Sequence, residues 1–401
     1  MMTDRIKSDF PQLKSGHSYL DSAAMSLKPS RVIETIDDYY RRLSVNVHRG
    51  LYDASVEATK MYEASRDIIA AFINASREET VYTRGTTDSL NMIALALSEK
   101  FVGPEDEIIT SELEHHSSFL PWQAIAMKKG ATLRFVPLNE EGRISVENFK
   151  KVLCERTKIV ALTYVSNVMG YVTPIEEITR LAHEVGAIVI VDAAQAVPHF
   201  TVDVKKIDAD FLAFSGHKML GPTGIGILYG KKKWLEMLEP VEYGGDMNEE
   251  VGKELSTWKE PPYRYEAGTM PVAEAIGLGE AVKCLEDYGM ENIARREKEV
   301  LASAISRMKK IDGVEIYNQG TDTGIIAFNL KNVPSHDAVS FYAENGVDIR
   351  AGHHCAQLVT KWLGIPSCLR ASFYLYSDES DAIRLAEVTE KAVGYFQSLG
   401  F

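Results

Sequence analysis

Lys218 stands at the end of Phe214-Ser215-Gly216-His217-Lys218, directly after a strand-like apolar run and before the glycine-rich Gly221-Pro222-Thr223-Gly224-Ile225-Gly226. A lysine held there can form a Schiff base with pyridoxal phosphate, whose ring is an electron sink for amino-acid chemistry. The pentapeptide alone is weak, because most lysines are solvated surface cations. Upstream, Ala187-Ile188-Val189-Ile190-Val191 runs straight into Asp192-Ala193-Ala194-Gln195. An apolar run without polar alternation reads as a strand buried on both faces of a parallel sheet, and ligand groups cluster at the carboxyl ends of such strands. A carboxylate at Asp192 facing a pyridine nitrogen keeps that nitrogen protonated. Gln195 is then in place to bond the phenolic oxygen. The competing reading of Asp192 is a helix N-cap.

A phosphate needs unpaired N–H groups at a helix start. Arg84-Gly85-Thr86-Thr87-Asp88-Ser89 lies between the strand-like Thr80-Val81-Tyr82-Thr83 and a helical pattern at Leu90, Ile93, Ala94 and Leu97. Ser215 and His217 add donors beside the lysine. In isolation this turn also reads as an ordinary cap. Ser111-Glu112-Leu113-Glu114-His115-His116-Ser117 follows another strand, and His115 can lay its imidazole on the cofactor ring. Zinc ligation by His115 and His116 is disfavoured, because adjacent side chains diverge and no Cys or His at ligand spacing accompanies them. No metal is expected.

Further along come Arg350-Ala351-Gly352-His353-His354-Cys355-Ala356-Gln357 and Cys368-Leu369-Arg370-Ala371-Ser372. With these in place the chain resembles the class V, fold-type I pyridoxal-phosphate enzymes, and among them the group II cysteine desulfurases of the sulfur-mobilisation type. The resemblance also rests on Val47-His48-Arg49-Gly50, the Gly-Thr-Thr turn, Glu114-His115-His116, Val165-Ser166-Asn167-Val168, Ser215-Gly216-His217-Lys218 and Glu266-Ala267-Gly268-Thr269. These motifs follow the family's order from near residue 20 to the C-terminus.

The resemblance implies an α/β fold: a large domain with a mostly parallel seven-stranded sheet flanked by helices, and a smaller α+β C-terminal domain. It implies Lys218 as the Schiff-base lysine, Asp192 and Gln195 as ring ligands, and His115 as the stacking base. Thr87, Ser215 and His217 match phosphate ligands. Thr269 matches a threonine that reaches the phosphate of a neighbouring subunit, so a homodimer with shared sites is expected. Arg370 matches the arginine that pairs with the substrate carboxylate, a task suited to its two-pronged guanidinium. Asn167 sits beside the cofactor oxygen and that carboxylate, and His48, Arg49 and Arg350 line the entrance. Cys355 matches the nucleophile. The implied reaction takes sulfur from L-cysteine as an enzyme persulfide, releases L-alanine, and passes the sulfur to an acceptor protein for iron–sulfur cluster assembly. Selenocysteine lyase and class V aminotransferase chemistry are the enzymatic alternatives, since L-selenocysteine offers a weaker bond at the same position. A non-catalytic or metal-binding scaffold is the third reading, and Lys218, Asp192 and Arg370 together argue against it.

A free thiol, with a pKa of about 8.5, is mostly protonated near neutrality, so His353, His354 or Arg350 can assist by stabilising the thiolate. The ordinary fate of a lone cysteine is a small buried hydrophobe. That reading suits Cys154 and Cys284, both expected in helix-like surroundings; Cys368 is close to Arg370 at a position the family does not use. Leu358 stands where many relatives have proline, Asp88 where glutamate is commoner, and Met270 where proline often follows. These departures touch loop stiffness and dimer contacts and leave every reacting group in place.

Strand-like and helix-like segments alternate from about residue 78 to 230, as a mostly parallel sheet requires. A chain of 401 residues accommodates a large domain over 19–279 and a small one over 1–18 and 280–401. Asp246 to Tyr263 reads as an extended loop. Four cysteines without framework spacing point to a reducing compartment. The N-terminus lacks an apolar signal core and no run reaches a membrane span, so a cytoplasmic location without membrane contact is expected. A formal net charge of -13 disfavours nonspecific nucleic-acid binding.

Overall fold

A computed structural model describes residues 6–400. The apolar runs become the middle of a seven-stranded sheet in the order Thr80–Thr83, Gly226–Gly230, Phe211–Ser215, Ile188–Asp192, Thr157–Thr163, Glu107–Ser111, Thr132–Val136. Gly226–Gly230 is antiparallel to both of its neighbours. The other four pairings are parallel. Every residue of Ile188–Asp192 and Phe211–Ser215 is buried, whereas the edge strand Thr132–Val136 is mostly exposed or half-buried.

Successive strand residues feed two cores. Val189, Val191, Leu212 and Phe214 join the apolar cluster on one face, while Ile188, Ile190, Phe211 and Ala213 join the cluster on the other. This is what side chains alternating across a doubly covered sheet produce, and it explains why these runs carry no polar residues.

A second sheet is antiparallel throughout: Val314–Ile316, Ile325–Leu330, Cys368–Ser372, Arg350–Gly352. Its core holds Ile326, Phe328, Leu369 and Ala371 against the helices Met290–Met308 and Glu379–Ser398. Ser18–Tyr19 pairs with Val347–Asp348, which brings the early chain beside this sheet. The boundary expected after residue 279 falls inside an unbroken helix, Val272–Tyr288. The chain turns only at Gly289, with φ of 80°. Residues 1–5 of the expected small domain lie outside the described residues.

Two expectations are corrected. The segment read as an extended loop contains an antiparallel hairpin, Asn248–Val251 with Ser256–Trp258; the first strand is mostly exposed with two glutamates and the second has three residues, so no apolar alternation marks them. Cys154 lies in the turn between the helix Val146–Val152 and the strand Thr157–Thr163, where its N–H donates to Thr157 Oγ1. Cys284 is buried within the helix Val272–Tyr288, as expected.

Candidate active site

The carboxyl ends of the large sheet converge on a cavity of about 210 Å³. Asp192 ends one strand, Ser215 ends the next, and Lys218 lies in the single helical turn that follows. The helix Thr86–Phe101 starts at the same wall behind Gly85, whose φ of 146° is open only to glycine. A Cβ on Gly226 would lie 2.5 Å from Gly85 Cα, so these two glycines let turn and strand meet. Thr86 N–H donates to Ser215 Oγ at 2.8 Å, which ties the helix start to the lysine strand.

Electrostatics favour neutral nitrogen nucleophiles here. Burial pulls the Lys218 amine below the ordinary lysine range, against the opposing pull of Asp192. Burial raises the Asp192 carboxyl, with Lys218 and the Ala194 N–H pulling the other way. His115 is lowered to about 3, by burial first and then by Lys218, His116 and Arg370. Its Nδ1 accepts from Ser117 N–H at 3.1 Å, so the neutral ring carries its hydrogen on Nε2. His217 is lowered to about 4 by burial, Lys218 and Lys28. Lys28, which sequence reasoning did not single out, donates to the His217 carbonyl at 3.1 Å.

The small sheet supplies the opposite wall. Arg350 and Arg370 are directly paired on neighbouring antiparallel strands, an unfavourable placement for like charges. Asp21 lies between them. It accepts from Arg350 Nε and Nη2 and from Arg370 Nη2, at 2.8 to 3.2 Å. One carboxylate against two guanidinium groups leaves surplus positive charge at the wall, as a carboxylate-binding site needs. Arg370 also donates to the Asn167 carbonyl at 2.9 Å, and its Nε is buried without a partner.

Cys355 lies beyond the strand Arg350–Gly352, on a loop where His354 and Cys355 have φ of 52° and 54°. Two consecutive left-handed residues that are not glycine are sterically costly and must be held by their surroundings. Asn167 Nδ2 donates to the His354 carbonyl, and His116 N–H to the Cys355 carbonyl, each at 2.7 Å. Cys355 is exposed, whereas Cys368 is buried and its thiol is pushed up to about 12.

Thr87, His115, Asn167, Arg350, Cys355 and Arg370 thus line the cavity together with the strand-end residues Asp192, Ser215, His217 and Lys218. The others lie elsewhere. Gln195 is buried, and its Nε2 donates to the Ala23 carbonyl at 2.6 Å. His48 pairs with Glu63, Arg49 pairs with Asp246, and Thr269 is exposed, all away from this cavity. In the motif that ends at Thr269, Glu266 is structural: it takes a bidentate contact from the buried Arg66 and the N–H of Tyr82. Sequence reasoning missed Asp21, Thr86 and Ser117. Thr86 was legible as the other threonine of the Gly-Thr-Thr turn. Asp21 carried no signal, since 349 residues separate it from Arg370.

The donor set suits pyridoxal phosphate. A helix start with threonine and serine hydroxyls fits its phosphate, Lys218 its carbonyl carbon, and Asp192 its ring nitrogen. The buried Asp192 carboxyl, bonded to the N–H of Ala194 two residues on, has the low-dielectric setting in which a pyridinium partner is most favourable. Among the described residues, no three His, Cys, Asp or Glu side chains gather as a metal site requires.

The aminotransferase class-V family model matches residues 18–385. A probable cysteine desulfurase from Halalkalibacterium halodurans is 47% identical, covering 99% of this chain and 99% of its own. Among solved structures, the apo cysteine desulfurase from Thermococcus onnurineus superposes with a TM-score of 0.94 at 38% identity. The cysteine desulfurase CsdA from Escherichia coli does so with 0.93 at 37%. Each of the two alignments covers 98% of both chains.

Proposed function

This chain belongs to the aminotransferase class-V family, among its cysteine desulfurases, and from that premise we propose that it moves the sulfur of L-cysteine onto Cys355 and releases L-alanine, with pyridoxal phosphate as cofactor. The observation that carries this reading is the meeting of Lys218, Cys355 and Arg370 on one cavity from distant parts of the chain.

When bound, the cofactor supplies an electron sink that makes the bonds around the substrate α-carbon labile. The rest falls to this chain. Thr86, Thr87 and Ser215 at the helix start hold the phosphate, with His217 beside them. Asp192 would hold the ring nitrogen and Lys218 the carbonyl carbon, while Gln195, three residues after Asp192, is tied to the Ala23 carbonyl. Arg370, oriented by Asp21 and Asn167, binds the substrate carboxylate. Lys218 then takes the α-proton, for which a neutral amine is required. Neutral His115 orients the reacting plane and is available as a proton relay. Cys355 attacks as a thiolate: its sulfur bonds to the substrate sulfur, the carbon–sulfur bond breaks, and the electron pair left on carbon ends as a C–H bond of alanine. The enzyme keeps the persulfide.

The remaining site residues fit a homodimer. His48, Arg49 and Thr269 would serve the cavity of a second copy, a reading supported by the neighbouring Leu51, which is 95% exposed. The persulfide passes to a thiol of an acceptor protein, toward iron–sulfur cluster assembly. We place the seam between the cofactor-binding unit and the unit carrying the cysteine loop at Gly289. Among the described residues, no helix is long and apolar enough to cross a membrane, and we propose a cytoplasmic site of action.

The deciding experiment incubates the holoenzyme with L-cysteine, L-selenocysteine and other common amino acids, and scores alanine, keto acids and persulfide. Alanine matched by one persulfide per Cys355 is expected. Keto-acid formation from ordinary amino acids, without persulfide, would point to an aminotransferase instead.

A further inference from the structure

Of the two adjacent histidines, His115 lines the cavity, whereas His116, first residue of the helix His116–Lys129, does not. Their ring centroids lie 6.3 Å apart, and the second ring meets the cysteine loop. Its Nε2 lies 3.2 Å from the backbone nitrogen of Gln357. A backbone N–H can only donate, so Nε2 carries the lone pair and the neutral ring keeps its hydrogen on Nδ1. Burial, with His353 second, lowers the His116 imidazole below the ordinary histidine range, which favours the neutral form that this bond needs.

The bond does what the loop's own sequence cannot. Gln357 opens the short helix Gln357–Trp362, and Ala356 before it has no side-chain acceptor for the first N–H groups. His116 supplies that acceptor across 241 residues of chain. Its own N–H donates to the Cys355 carbonyl at 2.7 Å. One histidine thus grips both ends of the stretch that follows the nucleophile, while Asn167 Nδ2 holds the His354 carbonyl just ahead of it. Inside the loop, Ala356 N–H donates to the His353 carbonyl at 2.9 Å, and His353 Nδ1 lies 3.1 Å from Thr360 Oγ1. These internal bonds shape the loop; the outside bonds place it. Placement matters because His354 and Cys355 are left-handed, a conformation that non-glycine residues abandon unless they are held. A reacting atom misplaced by about 1 Å can lose on the order of 100-fold in rate.

Resting on the desulfurase reading, we propose that the His116 side chain is a positioning residue for the nucleophile: it clamps the turn after Cys355 and so keeps the thiol in register with His115, its neighbour in sequence. In this role His116 touches no reacting atom. Its ring holds the Gln357 N–H, the left-handed backbone at Cys355 persists, and Sγ stays where the substrate sulfur arrives. The start of one helix then serves as a common mount for the stacking base and for the loop that carries the thiol, although the two are far apart in sequence. The divergence of adjacent side chains, which disfavours a shared metal, is what lets the pair divide this work.

Three substitutions separate this role from a merely structural one. Glutamine carries an amide oxygen at the depth of Nε2 and asparagine at the depth of Nδ1, so His116→Gln can keep the clamp while His116→Asn and His116→Ala lose it. The backbone bond to the Cys355 carbonyl persists in all three. The alanine burst of the holoenzyme with L-cysteine gives the rate of sulfur transfer and the half-saturating cysteine concentration. Hydrogen–deuterium exchange over 353–363 is followed in the same proteins without substrate. The burst rate is expected to fall about 3- to 30-fold in His116→Ala and His116→Asn, with the half-saturating concentration and the cofactor absorption band unchanged. Exchange at Gln357 should quicken in both, and His116→Gln should recover most of the rate and the protection. An unaltered burst rate or unaltered exchange in His116→Ala, a His116→Gln variant no better than His116→Asn, or a half-saturating concentration that rises as the rate falls would overturn the proposal. If the unaltered enzyme releases no alanine from cysteine, it is the desulfurase reading that fails, and the exchange comparison still decides whether His116 clamps the loop.

Discussion

The floor and the rim of the cavity are built in opposite ways. On the floor, Asp192, Ser215 and Lys218 leave from ends of fully buried strands, and left-handed backbone among non-glycine residues is confined to Leu220, whose N–H is held by Ser26 Oγ. On the rim, the nucleophile itself and the residue before it are left-handed, and Cys355 faces solvent. The floor has to hold one cofactor in one pose, which rigid elements do best. The rim has to present a sulfur atom and then give it away. Its strain is held from across the cavity, through Asn167 and His116, so the two regions are coupled at the loop's own carbonyls.

If that division holds, damage to the floor removes the chemistry altogether. Lys218→Ala should abolish alanine formation and the visible absorption of the bound cofactor, while far-ultraviolet circular dichroism stays unchanged. A retained visible band would take Lys218 off the floor. Damage to the rim should instead spare the cofactor. Cys355→Ser is expected to keep the absorption band and form no persulfide, whereas Cys368→Ala, which alters a buried thiol pushed up to about 12, keeps the persulfide on Cys355. Mass spectrometry locating the extra sulfur on Cys368 would reverse that assignment.

The wall between them sharpens the comparison further. Arg370→Ala should cost about 2 to 4 kcal/mol in kcat/KM for cysteine, a loss of about 30- to 900-fold, with Arg370→Lys intermediate. A wild-type kcat/KM in Arg370→Ala would mean the carboxylate binds elsewhere. The smallest effect is predicted for Asp21→Asn, which keeps the shape but leaves the paired arginines without a counterion. We expect KM to rise about 3- to 10-fold with kcat little changed, and inhibition by added chloride to increase. An unaltered KM and salt response would remove Asp21 from substrate binding.

What was legible in the sequence was whatever local pattern encodes. Ile188–Asp192 and Phe211–Ser215 announced themselves because a strand buried on both faces is apolar until its carboxyl end. The glycines at Gly85 and Gly226 did so because their contact forbids a Cβ. Asp21 stayed hidden because its meaning lies in a contact with Arg370 at the other end of the chain. The hairpin at Asn248–Val251 and Ser256–Trp258 escaped because its short, mostly polar strands leave no apolar period to read. The bond from Gln195 Nε2 to the Ala23 carbonyl was not legible, because only the packed neighbours determine it.

Because Asp21 bonds to Arg350 and Arg370 across most of the sequence, the order of synthesis decides when that contact can form. Lys218, Asp192 and Thr87 are all made before the thiol, which lies roughly 140 residues after the lysine. At about 5 to 20 residues per second, that interval lasts on the order of 10 s. Through it the nascent chain has Asp21 but neither of its arginines, and so neither the anchor for a substrate carboxylate nor the atom that takes sulfur. Early chain then waits for late chain, since the partner of Ser18–Tyr19 is Val347–Asp348. A chain ending between residues 218 and 355 carries its lysine and is still unable to load sulfur, so translation itself withholds the reactive product until the late strands are made.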